Sequence, residues 1–203
     1  MKPVRNWLLT TAGVLAAAPS LAANLSIRIT LPEIASNGPR GPNRPYVAVW
    51  LRKEDNSFAS DLAVWYQIES PRRRGPAPPG GGMGPPPGMG PPPGFGSMPA
   101  GGARWLNEVR QWWADSGHNL QFPVDGLTSA SRAAGTHELT FTDADPKLAK
   151  LPPGKYKLMV EAAREHGGDE VVSIPITLPL GAAQSGKTTG RSELGAVEFV
   201  VTP

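Results

Sequence analysis

Residues 46–51 read YVAVWL and residues 62–66 read LAVWY, two continuous apolar runs that set the reading of the whole chain. Short apolar runs rich in valine and aromatic residues, bounded by polar segments, are the mark of strands in a sheet. Upstream, Leu25, Ile27, Ile29 and Leu31 alternate with Ser26, Arg28 and Thr30, the period-two pattern of a half-buried strand. Downstream, strand patterns resume over 137–142, 156–163, 171–178 and 196–201, and Pro152-Pro153-Gly154 punctuates the chain before the second of these. Seven short strands with turn signals between them predict a mainly β fold, an immunoglobulin-like β-sandwich. One helix accompanies it. Trp105, Leu106, Val109, Trp112 and Trp113 recur at helical spacing along one side, with Asn107, Arg110 and Gln111 turned away.

The ends and the middle of the chain bound what this domain can be. Lys2 and Arg5 precede an apolar run from Trp7 to Ala18, Pro19 breaks it, and Ser20-Leu21-Ala22 offers small residues for cleavage. That is the pattern of a secretory signal peptide over 1–22, too short to span a bilayer. The expectation is an exported, periplasmic protein of one domain over 23–203 that is not embedded in a membrane. Loss of Lys2 and Arg5 with the leader lowers the formal charge from +3 to +1, which argues against a nucleic-acid partner. The chain has no cysteine, so disulfides, thiolate chemistry and Cys-ligated metals are excluded. From Pro71 to Gly102 the sequence is dominated by proline and glycine, with GMGPPP and a near-copy repeated. Such a segment lacks the donors and the apolar content for strands or helices and reads as a disordered loop insertion.

Residue types with catalytic potential are scattered. His118, His137 and His166 show no metal-ligand spacing, and no serine sits in a nucleophile elbow. Asp143 and Asp145 form a DxD better explained by turn chemistry than by calcium. The tryptophans of the mature chain fall on strand or helix faces and read as core. Nothing predicts a self-contained enzyme.

Two resemblances add to this. Gly135–Asp143 (GTHELTFTD) followed by Leu151–Tyr156 (LPPGKY) is similar to the turn-and-strand pattern of hook-capping-type immunoglobulin-like domains, with Phe141 where tryptophan is usual. More of the chain resembles DUF2271, a family of predicted periplasmic proteins. The residues that carry this are Tyr46–Leu51, Leu62–Tyr66, Trp105–Trp113, Asp125–Gly135, Leu151–Tyr156, Val160–Gly168 (VEAAREHGG) and Glu193–Val197.

Within that span, Asp125–Ser131 (DGLTSAS) is similar to the acceptor motif of the periplasmic flavin transferase, D-x-x-[ST]-G-A-[TS]. That enzyme takes FMN from FAD and esterifies its phosphate to the last hydroxyl of the motif. The resemblance implies covalent FMN on Ser131, with Asp125, Thr128 and Ala130 as recognition residues. Ser129 stands in place of the usual glycine. DUF2271 members are also similar to proteins encoded beside flavin transferases and PepSY-type membrane reductases. Two expectations follow. One is an electron carrier whose covalent FMN is reduced by a PepSY-type membrane protein. The other is a cofactor-free interaction module of a periplasmic redox or metal-uptake system, with Glu161, Arg164, Glu165 and His166 as a polar binding rim.

Overall fold

A computed structural model describes residues 22–34, 44–68, 101–164 and 167–203. The expected signal peptide, up to residue 21, and residues 71–100 of the insertion lie outside the described residues. Gly101 and Gly102, read as the end of the insertion, instead open a helical segment. The Gly102 N–H donates to the Gln67 carbonyl at 2.9 Å, and a Cβ there would meet that oxygen at 2.3 Å, so only glycine fits.

Nine strands are present among the described residues. They are β1 (Asn24–Leu31), β2 (Tyr46–Lys53), β3 (Phe58–Tyr66), β4 (Thr128–Ala130), β5 (Gly135–Thr142), β6 (Gly154–Ala163), β7 (Asp169–Leu178), β8 (Gln184–Thr189) and β9 (Ala196–Thr202). They form two sheets, β5-β1-β9-β8 and β4-β3-β2-β6-β7. Every pairing is antiparallel except β3 with β4. All seven strands legible in the sequence are among them.

Period-two alternation decides which side each residue covers. Leu25, Ile27, Ile29 and Leu31 of β1 face Val47, Val49 and Leu51 of β2 and Leu158 and Val160 of β6 in the core between the sheets. The opposite side of β2 presents Tyr46, Ala48 and Trp50 to a second core with Leu106, Val109 and Trp112. The five-stranded sheet is therefore covered on both faces, which is why YVAVWL and LAVWY read as unbroken apolar runs.

The covering layer is not one helix. A 3₁₀ helix over Gly101–Glu108 is followed by α1 (Arg110–Asp115) and a 3₁₀ turn at Gly117–Asn119. Leu106, Val109 and Trp112 are buried as the spacing predicts, while Trp105 and Trp113 are half-buried at the margin. The break has a physical cause: the amides of Gln111 and Trp112 donate to the Glu161 carboxylate on β6, so α1 starts there with its first donors already satisfied.

Two strands escaped the sequence reading. β4 has three residues, and β8 (QSGKTT) is polar and lies at a sheet edge. Gly186 in β8 lets that strand pack closely, since a Cβ there would meet Ile174 Cγ2 at 2.4 Å and Phe199 Cε1 at 2.7 Å.

Candidate functional site

The DGLTSAS segment folds as a turn running into an edge strand. The amides of Leu127 and Thr128 donate to the Val124 carbonyl, and the Thr128 hydroxyl donates to the same oxygen at 2.9 Å. Gly126 sits at φ +66°, a conformation that favours glycine, and its N–H donates to Asp125 Oδ1 at 3.0 Å. Lys147 fastens the turn to β3 by donating to the carbonyls of Gly126 and Leu62 at 2.6 and 2.9 Å. Thr128, Ser129 and Ala130 then pair in parallel with Val64, Trp65 and Tyr66. Of the motif residues, Asp125 and Ala130 are exposed, while Thr128 is half-buried and braces the turn.

Ser131 ends this run. Its N–H donates to the Tyr66 carbonyl at 2.9 Å, its carbonyl accepts from Arg44 Nη1 at 3.3 Å, and it is only 6% exposed. Among the described residues its hydroxyl has no hydrogen-bond partner. Next to it opens a cleft of about 360 Å³ between the end of β1, the start of β2, the 132–134 loop and the end of β6. Arg44, Arg132 and Arg164 line it, with exposed Glu33 as a lining carboxylate. Arg132 lies 4.4 Å from the ring centroid of Trp65, whose buried Nε1 has no acceptor among the described residues. A cation held over an aromatic face keeps a fixed direction.

Of the four residues expected to form a polar rim, Glu161 and Arg164 are described, and neither side chain lies on an exposed surface. Glu161 is fully buried beneath α1, where its oxygens accept the Gln111 and Trp112 amides at 3.0 and 2.8 Å. Burial raises its pKa to about 7 against the pull of those two donors, and the neighbouring Asp169 adds to the rise. Arg164 is paired with Glu193 at 2.5 Å, both largely buried. Glu165 and His166 lie outside the described residues.

The sequence reading missed the polar fastening of the helical layer. Asp61 on β3 accepts from the Trp112 indole at 2.7 Å and from the Ser116 hydroxyl. Burial raises its pKa, and the two donors offset part of that. Asp115 on α1 reciprocates, taking the Trp50 indole N–H at 2.8 Å and both Nε and Nη2 of Arg52. The available signal was a lone aspartate between Ser60 and Leu62 in a strand otherwise running into LAVWY. Glu170 was missed too: its carboxylate is wrapped by the amides of Arg191, Ser192 and Leu194.

Asp145, His137 and His118 have local partners. Asp145 caps the short helix α2 (Pro146–Ala149) by accepting the Lys147 amide at 2.9 Å, and His137 and His118 contact the carbonyls of Ala133 and Trp113. Among the described residues no cluster of histidine and carboxylate side chains could hold a metal ion, and no helix is long and apolar enough to cross a membrane.

No curated protein and no solved structure matches the chain. A family model does match, over residues 24–196, from β1 to the start of β9. Its span takes in both sheets, the helical layer and the DGLTSAS turn, and by it the chain belongs to DUF2271, a family described as predicted periplasmic proteins.

Proposed function

We propose that the domain is an exported periplasmic electron carrier bearing FMN esterified to Ser131. The observation that supports it is the setting of Asp125–Ser131: an exposed turn and a three-residue edge strand end at Ser131, whose carbonyl accepts from Arg44 and whose neighbour Arg132 lines a cleft with that arginine. In the transfer, a flavin transferase joins Ser131 Oγ to the FMN phosphorus of FAD, the P–O–P bond breaks, AMP leaves and the serine proton is released. When bound, FMN supplies one- and two-electron transfer, with a PepSY-type membrane protein as electron donor.

The residues of the cleft suit the phosphate better than the ring. Arg44 and Arg132 offer N–H donors, whereas the described residues that line the cleft include no aromatic face. The flavin ring would then lie open to a partner, as an electron carrier requires. Ser131 is shielded in the folded domain, so modification needs β4 to lift from β3. The cost is modest, because the ladder there is three residues long and lies at the sheet edge.

That same shielding of Ser131 favours a second reading, a cofactor-free interaction module in a redox or metal-uptake system. Intact mass separates the two. The full chain is co-expressed in a periplasm with a flavin transferase active on a known acceptor. An FMN-sized increment, absent in Ser131→Ala, establishes the carrier. An unmodified mass leaves the interaction module.

A further inference from the structure

We infer that the cleft flanked by Arg44 and Arg132 is a phosphate-ester site, and that these two guanidiniums hold the phosphodiester of a flavin attached at Ser131. Placing the ester on Ser131 rests on the proposed function; the anion-binding chemistry of the cleft does not.

The three arginines of the cleft are not equivalent. Arg164 is engaged with Glu193 at 2.5 Å and serves as wall. Arg44 gives one N–H to the Ser131 carbonyl at 3.3 Å, which brings its remaining donors to the residue that would carry the ester. Arg132, the next residue along, sits with its guanidinium carbon 4.4 Å from the Trp65 ring centroid and also lines the cleft. Neither Arg44 nor Arg132 has a carboxylate partner among the described residues. Two unneutralised guanidiniums converging on one open cavity match the oxygens of a phosphate, which accept planar paired donors. Glu33 is the opposing charge and exposed, so it weakens the site without closing it.

The test uses the full chain carrying Ser131→Ala, so that no covalent flavin forms, titrated with free FMN and separately with riboflavin by flavin fluorescence. FMN binds at least tenfold more tightly than riboflavin, and inorganic phosphate competes with it. Arg44→Gln and Arg132→Lys each weaken FMN about tenfold and leave riboflavin unchanged, while Glu33→Gln tightens FMN. Arg132→Lys keeps a cation over Trp65, so a loss there reports on the ligand and not on folding. Equal binding of FMN and riboflavin, or FMN binding indifferent to both arginine changes, overturns the inference. An FMN increment on the wild-type chain with no FMN preference in this titration sinks the cleft and spares the acceptor. Tight FMN binding with no covalent increment keeps the cleft and sinks the carrier.

Discussion

The backbone N–H of Trp112 donates to Oε2 of Glu161 across 2.8 Å, joining the first turn of α1 to the C-terminal part of β6. A fully buried carboxylate thus supplies from another element the acceptor that a capping residue usually provides. Val109, which precedes α1, makes no side-chain cap.

This placement gives the domain a stability that declines between weakly acidic and neutral pH. The folded-state pKa of Glu161 is raised to about 7 from its ordinary 4.5, and that of Asp61 is raised as well. Between the unfolded and folded values the folded state binds more protons than the unfolded, so stability falls as pH rises through about 4.5 to 7 and levels off above. The expected loss is roughly 1–3 kcal/mol. Urea midpoints at pH 5.5 and pH 8 test it. The wild type drops between the two, and Glu161→Gln drops distinctly less. The same decline in both proteins would exclude Glu161 as its source.

Asp61 holds the other end of Trp112. Asp61→Ala strands the indole N–H and the Ser116 hydroxyl inside the layer, a loss of about 2–4 kcal/mol for two buried donors without acceptors. Asp61→Asn retains one acceptor and falls between. Amide hydrogen exchange should show faster opening over 101–120 in Asp61→Ala, with β1 and β9 protected as before relative to global stability. Uniform loss of protection across both sheets would mean that the helical layer is not a separate unit.

Arg52 and Asp115 form the reverse contact, from sheet to helix, with the Trp50 indole on the same carboxylate. Both side chains are mostly buried and the pair is bidentate, so its coupling should exceed that of a surface ion pair. A double-mutant cycle of Arg52→Ala and Asp115→Ala is expected to give about 1–2 kcal/mol. A value near zero would leave Trp50 as the only partner of Asp115 that matters for stability.

These contacts also show where sequence reasoning stops. Leu25–Leu31 announced a strand because one of its faces is buried and alternation survives in the letters. Tyr46–Leu51 announced a strand but hid the fact that two layers cover it, since a continuous run does not say what lies on each side. Glu161 was placed on an exposed rim because charged residues are seldom buried. Its partners lie about fifty positions away, and no local pattern reports them. The DGLTSAS turn was legible as a polar turn with Arg132 after it, yet Arg44 and Arg164 come from other parts of the chain and join Arg132 only through the sheet order.

The acid side of the stability profile should belong to Glu170. Its burial raises the pKa, but the amides of Leu194, Arg191, Ser192 and Glu193 outweigh that and hold it below the ordinary carboxylate value. Its folded pKa is depressed, so the stability it contributes is present above the unfolded value near 4.5 and is lost as pH falls through the folded one. The loop closes on this carboxylate only because residue 190 is glycine. A Cβ there would meet the Leu194 carbonyl at 2.4 Å and Glu170 Oε2 at 2.7 Å. Gly190→Ala must therefore push the loop off Glu170 and, with it, disturb the Arg164–Glu193 pair, at a cost of about 1–3 kcal/mol. Thermal midpoints at pH 3.5 and pH 6 should show the variant closer to wild type at the lower pH, where Glu170 is already releasing the loop. A gap equally wide at both values would mean that the glycine serves backbone packing alone and that the carboxylate nest adds nothing.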